Sequence, residues 1–300
     1  GEQERSTDTD APPATASEDT LQFQQQLQRL HLGFPQTNVV ETPAVVQQLL
    51  QENLKSLKDV ALTGGLELSP SIVELLPMPG PLHVAGGEVE PSWKLALSHC
   101  RVQDEQRVDH LLNRIATSLA DSSPRHQRLC LCNCRLENAW TMNLAKAWVG
   151  TWITRVNSSQ SRFVLDLSGN AISLVGIKNL LLGVCDAVSK GPLSTFHLVA
   201  CGCGADIVQL LSATEVRAAL ESCRRALRSS ASSFSSSSSS TTTTTTTTLT
   251  GKPKLVIEFG GNFPPTLDSR RSTSIAGFVQ QLKEQQQWVQ QLRPLIEVNL

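Results

Sequence analysis

The sequence predicts an α/β solenoid in the form of a curved horseshoe, with parallel strands on the concave face, helices on the convex face and about seven repeats. Three observations carry this reading. Short alternating apolar runs that end in Asn, Cys or Gly recur along the chain, their spacing is similar, and helix-like segments separate them.

The clearest unit is Leu165-Asp166-Leu167-Ser168-Gly169-Asn170-Ala171-Ile172, an L-x-L-x-x-N-x-L pattern. Two inward leucines mark a short strand. The Asn then turns the chain, and its side-chain amide satisfies backbone groups that the turn leaves unpaired. Ile257-Glu258-Phe259-Gly260-Gly261-Asn262 repeats the acid, the Gly and the Asn. A variant with Cys in the Asn position starts at Leu95 and Leu129, ending in Cys100 and Cys134. A less regular third copy runs from Phe196 to Cys203, with Cys201 taken as the turn residue, and weaker copies begin at Leu30 and Val60. First strand positions are therefore 30, 60, 95, 129, 165, 196 and 257, separated by 30, 35, 34, 36, 31 and 61 residues.

Between strands, Thr42-Pro43 supplies an N-cap and a first-turn proline for the run Ala44 to Lys55. Val108 to Ile115 has apolar residues at helical spacing, and similar stretches run from about Asn138 to Ile153, Leu174 to Val188 and Asp206 to Leu227. A Gln-rich segment near residues 275–292 sets Ile275, Phe278, Val279, Leu282, Val289 and Leu292 on one stripe, suited to cap the end of the array. A conventional buried parallel sheet would read as continuous apolar runs instead.

Residues 1–20 carry almost no large apolar side chain and read as a disordered acidic segment, neither a signal nor a transit peptide. The repeat domain is expected over 21–292. It is interrupted at 229–250 by a Ser run and a Thr run, which cannot offset their ordering entropy and read as a flexible insertion.

From about Leu27 to Asn262 the chain resembles the leucine-rich repeats of the ribonuclease-inhibitor type, with one strand and one long helix per repeat. The resemblance is strongest from Leu95 through Asn170. It implies a protein-binding function on the concave face. Relatives of this kind act as inhibitors, small-GTPase regulators, innate-immunity sensors and ciliary or cytoskeletal components.

Composition narrows the function classes. Lys+Arg 26 against Asp+Glu 27 gives a formal charge of −1, which attracts neither nucleic acid nor anionic lipid. No apolar run approaches the roughly 20 residues of a membrane span. Eight cysteines, several one residue apart, suit reduced thiols in a cytoplasmic setting better than disulfides.

The strand register assigns one outward column to His31, Ala61, Ala96, Cys130, Asp166, His197 and Glu258. The next holds Gly33, Thr63, Ser98, Cys132, Ser168, Val199 and Gly260. Cys130, Cys132, Asp166 and His197 invite a metal site, but a flat sheet face supplies a tetrahedral set badly and zinc-ribbon C-x₂-C spacing is missing. Activation of Cys130 or Cys132 by His197 is opposed by the repeat between them. The reading is therefore a non-enzymatic scaffold without cofactor or metal, holding a partner protein through Cys130, Cys132, Asp166, His197 and Glu258. The alternative is a structural subunit of a large ciliary or cytoskeletal assembly, docked through Trp140, Trp148 and Trp152.

Overall fold

The computed structural model describes residues 27–35, 40–41, 43–53, 56–78, 92–101, 109–111, 113–114, 117, 126–136, 162–190, 195–234, 255–262 and 275–300. Residues 1–20, the tryptophan segment and the Thr run lie outside the described residues.

Eight strands form one parallel sheet: β1 (Arg29–Gly33), β3 (Asp59–Thr63), β5 (Ser92–Ser98), β6 (His126–Cys132), β7 (Arg162–Asp166), β8 (Thr195–Val199), β9 (Leu255–Glu258) and β10 (Ile296–Asn299). They lie side by side in chain order, so each connection leads to the adjacent strand, as in a solenoid-like α/β fold. Two short strands, β2 (Val40–Glu41) and β4 (Leu66–Glu67), pair in parallel beyond the first turns. The helices are α1 (Ala44–Asn53), α2 (Pro70–Leu75), α3 (Leu174–Lys190), α4 (Ile207–Ser212), α5 (Thr214–Phe234) and α6 (Ile275–Leu292).

Alternation fixes which face each strand buries. Leu30, Val60, Leu95, Leu129, Leu165, Leu198, Ile257 and Val298 are partners across the sheet, and all are buried. They share one core with Ile177, Leu180, Leu181 and Val184 of α3 and with Val216, Leu220 and Leu227 of α5. Cys185 and Cys223 meet between these helices, and the mutual hydrogen bond, with burial, pushes the Cys185 thiol far up.

Each strand leaves the sheet through one left-handed residue. Gly64, His99, Asn133, Gly169, Gly202 and Gly261 occupy this place, with φ of 116°, 59°, 54°, 72°, 63° and 72°. The next residue in four of the turns seals the backbone. Asn170 Nδ2 donates to the carbonyls of Leu131 and Leu167, both at 2.6 Å, while its Oδ1 accepts from the N–H of Cys134 (2.9 Å) and Leu136 (3.2 Å). Asn262 does the same one turn on, accepting from Cys203 N–H at 2.7 Å and donating to the Ala200 carbonyl. Cys100 and Cys134 fill the position with thiols that reach carbonyls of the preceding strand, Leu62 at 3.5 Å and Leu97 at 3.2 Å.

These turns correct the reading of the sixth repeat. Leu198 pairs with Leu165 and Ile257, whereas Phe196 pairs with Phe163 and Leu255. The unit in register is Leu198-Val199-Ala200-Cys201-Gly202-Cys203, so Cys203 is the sealing thiol and Cys201 faces outward. Phe196-x-Leu198 fits L-x-L as well as Leu198-x-Ala200 does, and a two-residue slip keeps every side chain on its face. Only the left-handed Gly202 separates them.

Three helical expectations shift as well. The run from Asp206 breaks at Ala213 into α4 and α5, with Asp206 capping α4 through a bond from Gln209 N–H. The α5 helix continues through Ser229 to Phe234, so the Ser-rich tract begins helical, carried on from a well-packed stem where one more turn needs no new nucleus. The expected capping helix is α6, but β10 follows it and is the edge of the sheet. Its packed stripe is Leu282, Gln285, Trp288, Val289 and Leu292, whereas Val279 is exposed. Gln285 and Trp288 both hold Arg217 of α5, by a 2.8 Å hydrogen bond and a cation–π contact.

A Cβ on Gly64 would lie 2.0 Å from the Phe34 carbonyl oxygen, whereas one on Gly202 meets nothing within 4 Å. Gly64→Ala should therefore cost about 3 kcal/mol or more, and Gly202→Ala only the left-handed penalty of about 1–2 kcal/mol. Urea denaturation of the two variants measures the difference.

Candidate functional site

The strand face opposite the core is lined by every second residue and carries no helix among the described residues. Register arranges it in rows across the sheet. The first holds Ser92, His126, Arg162 and Thr195. The second holds Arg29, Asp59, Lys94, Arg128, Val164, His197, Val256 and Glu297. The third holds His31, Ala61, Ala96, Cys130, Asp166, Val199, Glu258 and Asn299. Beyond it come Gly33, Thr63, Ser98 and Cys132 in the same sense, then Ser168, Cys201 and Gly260 at the turns.

Cys130, Asp166 and Glu258 stand in the expected row. His197 does not: it lies one position earlier, between Val164 and Val256, and Val199 takes its place. The two-residue slip at Phe196 is the cause. His197 still meets Glu258 diagonally, with Nε2 2.9 Å from Oε1 at an angle that makes no hydrogen bond. Cys130 faces outward yet is only 5% exposed, because the Arg128 side chain lies over it with Nε 3.1 Å from Sγ. A partner laid there would touch Arg128 before Cys130. Cys132 is half-buried near the Asp166 carbonyl.

The second row went unread although its residues sit two places before the third. Lys94, Arg128, Val164, Val256 and Glu297 were available by the same alternation. Ion pairs tie parts of it to the third row: Asp59 holds His31 Nε2 at 3.0 Å and Lys94 Nζ at 3.6 Å. Asp166 Oδ1 accepts from Ser168 N–H (3.1 Å) and Oγ (2.7 Å), which fixes the carboxylate over the turn.

The outward thiols are poor nucleophiles. Burial, opposed by the Arg128 contact, raises the Cys130 pKa, and burial with the nearby Asp166 charge pushes Cys132 up to about 12. Cys201 is raised by burial as well. At neutral pH the protonated form of each dominates, and a thiolate is what attacks an electrophile or binds a metal. None of the eight cysteines is in a disulfide. Among the described residues no three His, Cys, Asp or Glu side chains are placed to hold a metal ion, and no helix is long and apolar enough to cross a membrane.

No family model matches this chain, and no curated protein does.

The thiol at the Cys100 turn is likewise raised to about 12 by burial, from 9.0. The folded protein thus keeps protons that the unfolded chain gives up first, so stability is full below pH 9 and falls as pH rises toward 12. Cys100→Ala should make that alkaline decline shallower. Unfolding free energies measured across the range in urea check the slope, which an unchanged slope would contradict.

Proposed function

We propose that this chain is a protein-binding scaffold or regulator of the leucine-rich-repeat, ribonuclease-inhibitor-like kind. The supporting observation is the helix-free sheet face, on which Asp166, Glu258, His197, Arg128 and Lys94 stand on neighbouring strands at fixed register. Strands about 4.8 Å apart present such side chains as a rigid array, so a partner is held with little loss of protein order. The raised thiols support a binding role for Cys130 and Cys132 over a nucleophilic one. The structural-subunit alternative depends on Trp140, Trp148 and Trp152, which lie outside the described residues.

Affinity purification from native cells, with the chain and with an Asp166→Lys, His197→Glu, Glu258→Lys variant, tests the proposal. Partners held by this face should disappear from the variant's list. An identical list for a variant that keeps its fold refutes binding through this face.

A further inference from the structure

The open face is divided by charge. On β5, β6 and β7 it carries Lys94, Arg128 and Arg162; on β7, β9 and β10 it carries Asp166, Glu258 and Glu297. Between the two groups lie Val164, Val199 and Val256, each half-buried on three successive strands. Parts of this set are already paired: Lys94 with Asp59, Glu258 with His197 and, at 3.7 Å, Glu297 with Arg293. Among the described residues, however, no carboxylate forms an ion pair with Arg128 or Arg162, and no cation forms one with Asp166. The Arg128 Nε is spent on Cys130, which leaves the rest of its guanidinium facing outward.

We propose that this face takes an extended segment of a partner protein with carboxylates at one end, aliphatic side chains in the middle and Lys or Arg at the other. This deepens the proposed function and rests on the open face being the binding surface. Register sets the length. Arg128 and Glu258 are three strands apart, about 14 Å, which an extended peptide crosses in about five residues. The acidic end sits over Lys94, Arg128 and Arg162, the aliphatic middle over Val164, Val199 and Val256, and the basic end over Asp166 and Glu258. A nucleic acid or a uniformly acidic segment fits worse, because its far end would meet Asp166 and Glu258. The charge division also fixes direction, since a reversed segment sets like charges together.

The test uses the full chain and blocked synthetic peptides, read by chemical-shift changes and titration. The dipolar peptide Asp-Asp-Leu-Val-Leu-Arg-Arg should bind about fivefold or more tighter than its isomer Asp-Arg-Leu-Val-Leu-Asp-Arg, with the shifts centred on Val164, Val199 and Val256. Arg128→Glu should erase that preference. Adding Glu258→Arg should restore it, with the peptide turned end for end. No measurable binding, equal affinity for the two isomers, shifts elsewhere on the protein, or tighter binding of Asp-Asp-Leu-Val-Leu-Asp-Asp or a thymidine oligonucleotide would each overturn the inference. Partner capture that depends on Asp166 and Glu258, without peptide discrimination, would overturn this inference alone. Capture indifferent to the face would overturn the proposed function itself.

Discussion

Every strand of this sheet must end, and each ending exposes carbonyl and N–H groups that the next strand does not reach. The protein meets this with a two-residue device: one residue in the left-handed region, then a side chain buried between neighbouring turns. Asn170 is the fullest case, joining two carbonyls and two N–H groups from two adjacent repeats. An unpaired buried polar group costs about 1–3 kcal/mol, so a turn with four such groups is an expensive place to lose a side chain. Cys100, Cys134 and Cys203 are thinner versions: each thiol reaches carbonyls, and none accepts two N–H groups as Asn170 does. Apolar thiols suit that place because their surroundings are dry, and the raised pKa of Cys100 and Cys203 reports the same burial.

The turns also decide what the open face looks like. Because each turn is locked to the next, strands cannot slide, and rows of side chains run straight across the sheet. The apolar Val164, Val199 and Val256 come together only through this lock. So does the division of charge on either side of them. A face assembled in this way is set before any partner arrives, which favours recognition by charge pattern over induced fit.

The fold was largely legible in the sequence because it is written twice in each repeat, once in the alternating strand and once in the turn. Leu95, Leu129 and Leu165 satisfy both and were placed in register. At Phe196 the two signals conflict. The alternation admits Phe196 or Leu198, and only the Gly202-Cys203 turn distinguishes them, so His197 moved by a row and Val199 replaced it. The strand at Ile296 escaped because its alternation stops at Leu300, with no Gly-Asn turn in view. The burial of Cys130 was equally hidden, since it depends on how the long Arg128 side chain lies, which alternation does not encode. The break at Ala213 had no Gly or Pro to mark it.

The account turns on Asn170 as a joint between repeats, and amide hydrogen exchange on Asn170→Ala tests this most directly. With Oδ1 removed, the amides of Cys134 and Leu136 should lose protection while that of Cys203, held by Asn262, keeps it, and global stability should fall by roughly 2–4 kcal/mol. If Cys134 and Leu136 stay as protected as in the parent protein, the turn does not hold the repeats in register, and the ordered face built upon it loses its physical basis.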